Sequence, residues 1–134
     1  MKIATLALAA AALASAFSAS AATDTIAAKG EARLAKLIAG RTAGSPVSCI
    51  STLDSSRLQV IDQTALVYDA GSTIYVARPS DPKSLDSDNI LIFNRFGSQL
   101  CRQDIIRTVD RYSGFTNGAV FLDDFTPYKK VAAN

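Results

Sequence analysis

The spacing of apolar positions changes near residue 45. Before it, Ile26, Leu34, Leu37 and Ile38 recur at helical intervals, with Lys29, Arg33 and Lys36 on another face. This predicts a helix over residues 24–39. Asp24 or Thr25 can cap its start, and Gly40 supplies the stop. Gly30, in the middle, weakens such a helix by about 1 kcal/mol relative to alanine. After residue 45 the apolar residues alternate or fall in short blocks between turn residues, which is the pattern of strands. Strands are expected around 47–50, 57–61, 65–68, 73–78, 89–96, 105–109, 119–122 and 125–128. Asp69-Ala70-Gly71-Ser72 reads as a hairpin turn, with Gly71 free to take a positive φ. Residues 79–88 hold two prolines, three serines and three aspartates, and read as the longest loop. Ile90-Leu91-Ile92-Phe93 is apolar on both faces, which predicts a central strand. Pro127 predicts an edge strand, because proline cannot donate to a ladder.

The result is a mainly β domain: a small antiparallel barrel or sandwich with one N-terminal helix. The expected boundaries are a signal peptide over 1–22, helix and linker over 23–45, the β domain over 46–128 and a flexible tail over 129–134.

The first segment bears on where the chain lives. Met1-Lys2 is followed by residues 3–17, apolar except for Thr5 and Ser15, and then by Ala19-Ser20-Ala21. A basic start, a short apolar run and small residues at its end form a secretory signal peptide. The run is shorter than the ~20 residues a membrane span needs. Periplasmic or secreted localisation follows, with no membrane span after cleavage. In an exported chain the two cysteines, Cys49 and Cys101, are expected to form a disulfide. Closing a loop of that length contributes about 4 kcal/mol in the chain-entropy treatment.

Charge and chemistry narrow the function. A net charge of +2 disfavours nucleic acid as a partner, and the absence of tryptophan disfavours a stacking platform for single strands. The absence of histidine removes the commonest general base and transition-metal ligand. With both cysteines oxidised, no thiol nucleophile is left. Asp54, Asp62, Asp69, Asp104, Asp110, Asp123 and Asp124 lie mostly at turns or strand ends, where aspartate serves the backbone. Asp86, Asp88 and Asn89 loosely echo the start of a calcium loop, but lack the glycine turn and distal glutamate. No metal, cofactor or catalytic residue is expected. Arginine is the remaining bias: between residues 41 and 128 stand Arg41, Arg57, Arg78, Arg95, Arg102, Arg107 and Arg111, with Lys83 the one lysine. Arg78, Arg95 and Arg107 lie on or beside strands and are the candidate anion-binding residues.

Gly40-Arg41, Ala43-Gly44, Pro46-Val47 and Cys49-Ile50, then Ser98-Gln99-Leu100-Cys101, Asp104 and Phe125-Thr126-Pro127-Tyr128, together resemble a family of small exported proteobacterial proteins of unknown function. The resemblance covers nearly all of the mature chain and implies no activity, substrate or catalytic residue. Members often carry a second cysteine pair, near the start of the 79–88 loop and near Ala119, which this chain lacks. The resemblance therefore implies that these two regions lie side by side and are held by packing alone.

Three functions are open at this level. The first is a non-enzymatic exported protein that binds a partner protein of the envelope or an anionic surface polymer. The second is a small-ligand binder with an apolar barrel cavity lined by residues such as Ile74, Val76, Ile90 and Ile92. The third is an enzyme built on aspartate, arginine or tyrosine.

Overall fold

The computed structural model describes residues 21–132. The expected leader falls outside the described residues except for Ala21 and Ala22, which open the helix α1 (Ala21–Ile38). Asp24 and Thr25 thus lie inside the helix. Its end is as the sequence predicts, with Gly40 at φ 70°.

Ten strands follow among the described residues: β1 (Arg41–Ala43), β2 (Cys49–Ser51), β3 (Leu58–Ile61), β4 (Ala65–Asp69), β5 (Thr73–Ala77), β6 (Asn89–Phe93), β7 (Gln99–Cys101), β8 (Ile106–Asp110), β9 (Thr116–Val120) and β10 (Thr126–Lys130). All pairings are antiparallel. They form a five-stranded sheet in the order β1-β10-β5-β4-β3, a three-stranded sheet in the order β6-β8-β9, and the ribbon β2-β7. Two isolated bridges, Val47 to Phe125 and Pro79 to Leu122, join these units. The arrangement is an open sandwich with a helix on one side.

Two apolar clusters divide the interior. Leu34 of α1 packs with Ile61, Ala65, Val67, Ile74 and Val76 on one face of the five-stranded sheet. Leu66, Tyr68 and Ala77 on its other face pack with Ile50, Leu100, Ile106, Val120, Leu122 and Phe125. Burial of both faces explains why four of five residues in β4 are buried. Gly30 has a packing role: a Cβ there would stand 1.9 Å from the Thr64 Oγ1 and 2.9 Å from the Asp62 carbonyl oxygen. The helix therefore lies directly against the β3–β4 turn, and no other residue type fits without displacing it.

Several expectations change. Residues 41–43, read as linker, form β1, whose register is set by β10 across the chain. Residues 129–130, read as tail, belong to β10. That strand is interior, between β1 and β5. Pro127 is tolerated there because β1 ends at Ala43; Gly44 N–H donates to the Pro127 carbonyl at 2.7 Å, and the next bridge is Val47 with Phe125. Pro127 thus sits where the β1–β10 ladder ends, so its missing N–H removes at most the terminal bond of that pairing. The strand over residues 89–96 ends at Phe93 and is an edge, not a centre.

The 79–88 loop is anchored. Leu85 is fully buried in the cluster of Leu66, Tyr68 and Ala77, and its carbonyl accepts from Gln63 N–H at 2.9 Å. The Asp62 carboxylate accepts from Ser87 N–H at 2.6 Å and from its hydroxyl at 3.1 Å. The start of the loop and the end of β9 are adjacent, and Ser80 N–H donates to the Phe121 carbonyl at 2.8 Å. Backbone pairing as well as packing holds these regions together.

Cys49 and Cys101 form the expected disulfide, with Cα atoms 4.0 Å apart. They are direct cross-strand partners in the ribbon β2-β7. The bond joins neighbouring strands and does not span from sheet to sheet. Its wider effect comes from connectivity: along the chain β2 follows β1 of the five-stranded sheet, while β7 comes between β6 and β8 of the three-stranded one.

A candidate docking face on the three-stranded sheet

The arginines separate by what their guanidinium groups touch. Arg41 donates to the Ser72 carbonyl at 2.9 Å and the Gly71 carbonyl at 3.3 Å, closing the β4–β5 hairpin. Arg57 lies 3.5 Å from Asp54, Arg102 lies 3.5 Å from Asp124, and Arg111 donates to the Ser87 carbonyl at 3.2 Å. Arg78 makes a two-pronged pair with Glu31 of α1, at 2.5 and 3.0 Å. That pairing holds the Glu31 carboxyl below its ordinary range and raises Arg78, chiefly through the shared hydrogen bonds. Arg95 donates to the Thr52 hydroxyl and, at 3.4 Å, to the Thr52 carbonyl. Of the three candidate anion-binding residues, Arg78 and Arg95 thus have their forks engaged within the fold. Arg107, in the middle of β8, is exposed and has no hydrogen-bond or ion-pair partner among the described residues.

The aspartates mostly shape turns. Asp54 and Asp81 accept from the backbone N–H two residues on, as do Asp69 and Asp86. Asp104 accepts from Cys101 N–H at 2.8 Å. Asp110 accepts from the N–H groups of Tyr112 and Ser113. Hydrogen bonds hold Asp54 and Asp110 below the usual carboxylate range, through Ser56 and Ser113 respectively. The Asn89 side-chain oxygen accepts from Asn117 at 2.8 Å. A shallow groove of about 460 Å³, lined by Ser51, Leu53, Tyr68 and Tyr75 among others, includes Asp54 and Arg57, which pair with each other.

The surroundings of Arg107 are apolar. On β8, Ile106 and Thr108 are buried toward the core, so Arg107 and Val109 face outward. Across the ladder Arg107 stands between Ile92 and Ala119, and Val109 stands opposite Ile90. Ile90 and Ile92 are 44% and 36% exposed. Alternation puts Phe121 beyond Ala119 and Ile105 ahead of β8 on the same side, and they are 53% and 54% exposed. The outer face of this sheet is therefore an apolar surface with one guanidinium near its centre. Tyr112 and Phe115, in the β8–β9 turn, extend exposed aromatic surface at one end.

Beside this face lies an opening into the sandwich. β3 and β6 are edges of their two sheets, and between them runs a groove of about 450 Å³. Leu58, Val60, Leu66, Leu91 and Phe93 line it, with Asn89 and Arg111 at the rim. The four residues expected to share a barrel cavity do not meet. Ile74 and Val76 are buried under the helix, whereas Ile90 and Ile92 face outward.

Sequence reasoning singled out Arg107 but missed its apolar surroundings. The available signal was the pairing of an all-apolar strand with a strand that alternates around one arginine. Comparison with protein-family models, curated proteins and solved structures returned no match.

Proposed function

We propose that the protein is an exported, non-enzymatic binding module whose partner is a protein of the envelope. The partner docks on the outer face of β6-β8-β9, with Arg107 receiving one of its carboxylates. The observation that carries this reading is the exposure of Ile90, Ile92, Ile105 and Phe121 around an unpaired Arg107, on a sheet whose other face is core. Contiguous apolar surface with a polar anchor is the composition of a docking site. Arginine at such a centre discriminates by its planar fork. Export is supported by the leader pattern and by the disulfide, which persists in oxidising compartments. The non-enzymatic reading is supported by the absence of histidine, the oxidised cysteines and the engagement of aspartates in turns.

The test is retention of envelope proteins on the immobilised, oxidised chain, compared with Arg107→Glu and Phe121→Asp variants. Neither residue belongs to a core cluster, so both variants are expected to fold. A protein retained by the wild type and lost by both variants supports the reading. Equal retention by all three, or none by the wild type, rejects it.

A further inference from the structure

We propose that the free edge of β6 pairs antiparallel with β6 of a second copy of this chain, joining two three-stranded sheets into one of six strands. Four observations converge. First, Asn89-Ile90-Leu91-Ile92-Phe93 is an edge strand with no charge, proline or bulge to guard it. Protein edges are ordinarily protected by such devices, and an unguarded one is a template for another strand. Second, the position beside β6 has an apolar floor. A strand added there lies over the groove where Leu58 and Val60 are only partly buried.

Third, the second copy supplies the right side chains. β6 alternates, with Leu91 and Phe93 partly buried toward the core and Ile90 and Ile92 outward. A two-fold axis at Leu91 puts Ile90 of each chain opposite Ile92 of the other. The inward Leu91 and Phe93 of each copy then cover the floor of its mate. The contact is self-complementary, as a two-fold interface requires.

Fourth, the ends of the strand carry opposite charges that lack carboxylate or cationic partners within one copy. Arg95 is held only by the oxygens of Thr52. The Asp88 carboxylate has no partner among the described residues, and the Asp86 carboxylate accepts only from Asp88 N–H. Antiparallel pairing centred on Leu91 brings the Arg95 end of each strand to the Asp86–Asp88 end of the other, twice per dimer. Parallel pairing would put like ends together. The charge pattern thus favours an antiparallel copy of this strand as the occupant.

This inference does not depend on the partner that docks around Arg107, and its test needs no partner. The oxidised protein is sedimented over a concentration series. The expected result is a monomer–dimer equilibrium. The pair Ile90→Lys and Ile92→Lys, made together, sets lysines opposite each other across the axis while leaving them exposed in the monomer. This variant is expected to sediment as a monomer with unchanged circular dichroism. Arg95→Glu is expected to weaken dimerisation about tenfold, since cross-strand charge pairs are repeated by the axis. Adding Asp88→Lys is expected to restore it. Should the double lysine variant misfold, the charge exchange decides alone. A wild type monomeric at every concentration overturns the proposal, as does a dimer indifferent to Arg95→Glu or not rescued by Asp88→Lys.

Discussion

The five-stranded and three-stranded sheets are made of similar strands but differ in what covers them. β4 and β6 each place apolar residues on both faces. In β4 both faces are buried, one under α1 and one under the second layer. In β6 the inward residues reach the core and the outward isoleucines face solvent. Apolar character on both sides of a strand therefore shows that both sides have something to gain from burial; it does not show that the same chain supplies it. The five-stranded sheet is the scaffold, and the three-stranded sheet keeps one face uncovered.

The largest expected effect concerns the link between the two. Cys49→Ala with Cys101→Ala removes a closure across a sequence separation of 52. Urea denaturation should show a loss of about 4 kcal/mol. That is a large share of a typical domain's stability, so the sandwich should melt at a much lower temperature.

Next comes a pair of truncations that sets a buried aliphatic side chain against an exposed one. Leu85→Ala empties a fully buried position in the core and should cost about 2–5 kcal/mol. Ile92→Ala, on the bare face, should change stability by no more than about 0.5 kcal/mol. Comparable losses in the two variants would erase the distinction between scaffold and face.

The smallest effect separates the helix from the sheet beneath it. Glu31 is held below its ordinary pKa by Arg78, so its ion pair adds stability above the ordinary glutamate range. That contribution fades as pH falls through the lowered folded value and is gone below it. The pair is about half exposed, so its worth is less than about 1 kcal/mol. Glu31→Gln should therefore lower the melting temperature slightly at neutral pH and leave it unchanged in acid.

Features set by neighbours in sequence could be read before the structure: the hairpin at Gly71, the helix stop at Gly40 and most strands; the disulfide was legible because the chain has two cysteines. Features set at long range could not. β1 is three residues with no usable periodicity, and its conformation comes from β10 at the far end of the chain. Leu85 sits in a polar loop, and its burial depends on the β3–β4 turn that receives it. Gly30 looks like a helix defect until Thr64 is placed against it. The residues of the family resemblance are legible in the same light. Gly44 bonds Pro127, Val47 bonds Phe125, Cys49 bonds Cys101, and Asp104 holds Cys101. They build the junction between sheets and lie away from Arg107, so a likeness resting on them speaks of architecture and not of the exposed face of β6-β8-β9.

Hydrogen exchange of the oxidised chain, with and without an envelope protein that the wild type retains and the Arg107→Glu and Phe121→Asp variants lose, tests the central claim most directly. Exchange is expected to slow over Asn89–Phe93 and at the exposed end of β9, with β3, β4 and β5 unchanged. Slowing confined to Leu58–Ile61, Ala65–Asp69 and Thr73–Ala77, with none in β6, would contradict the account.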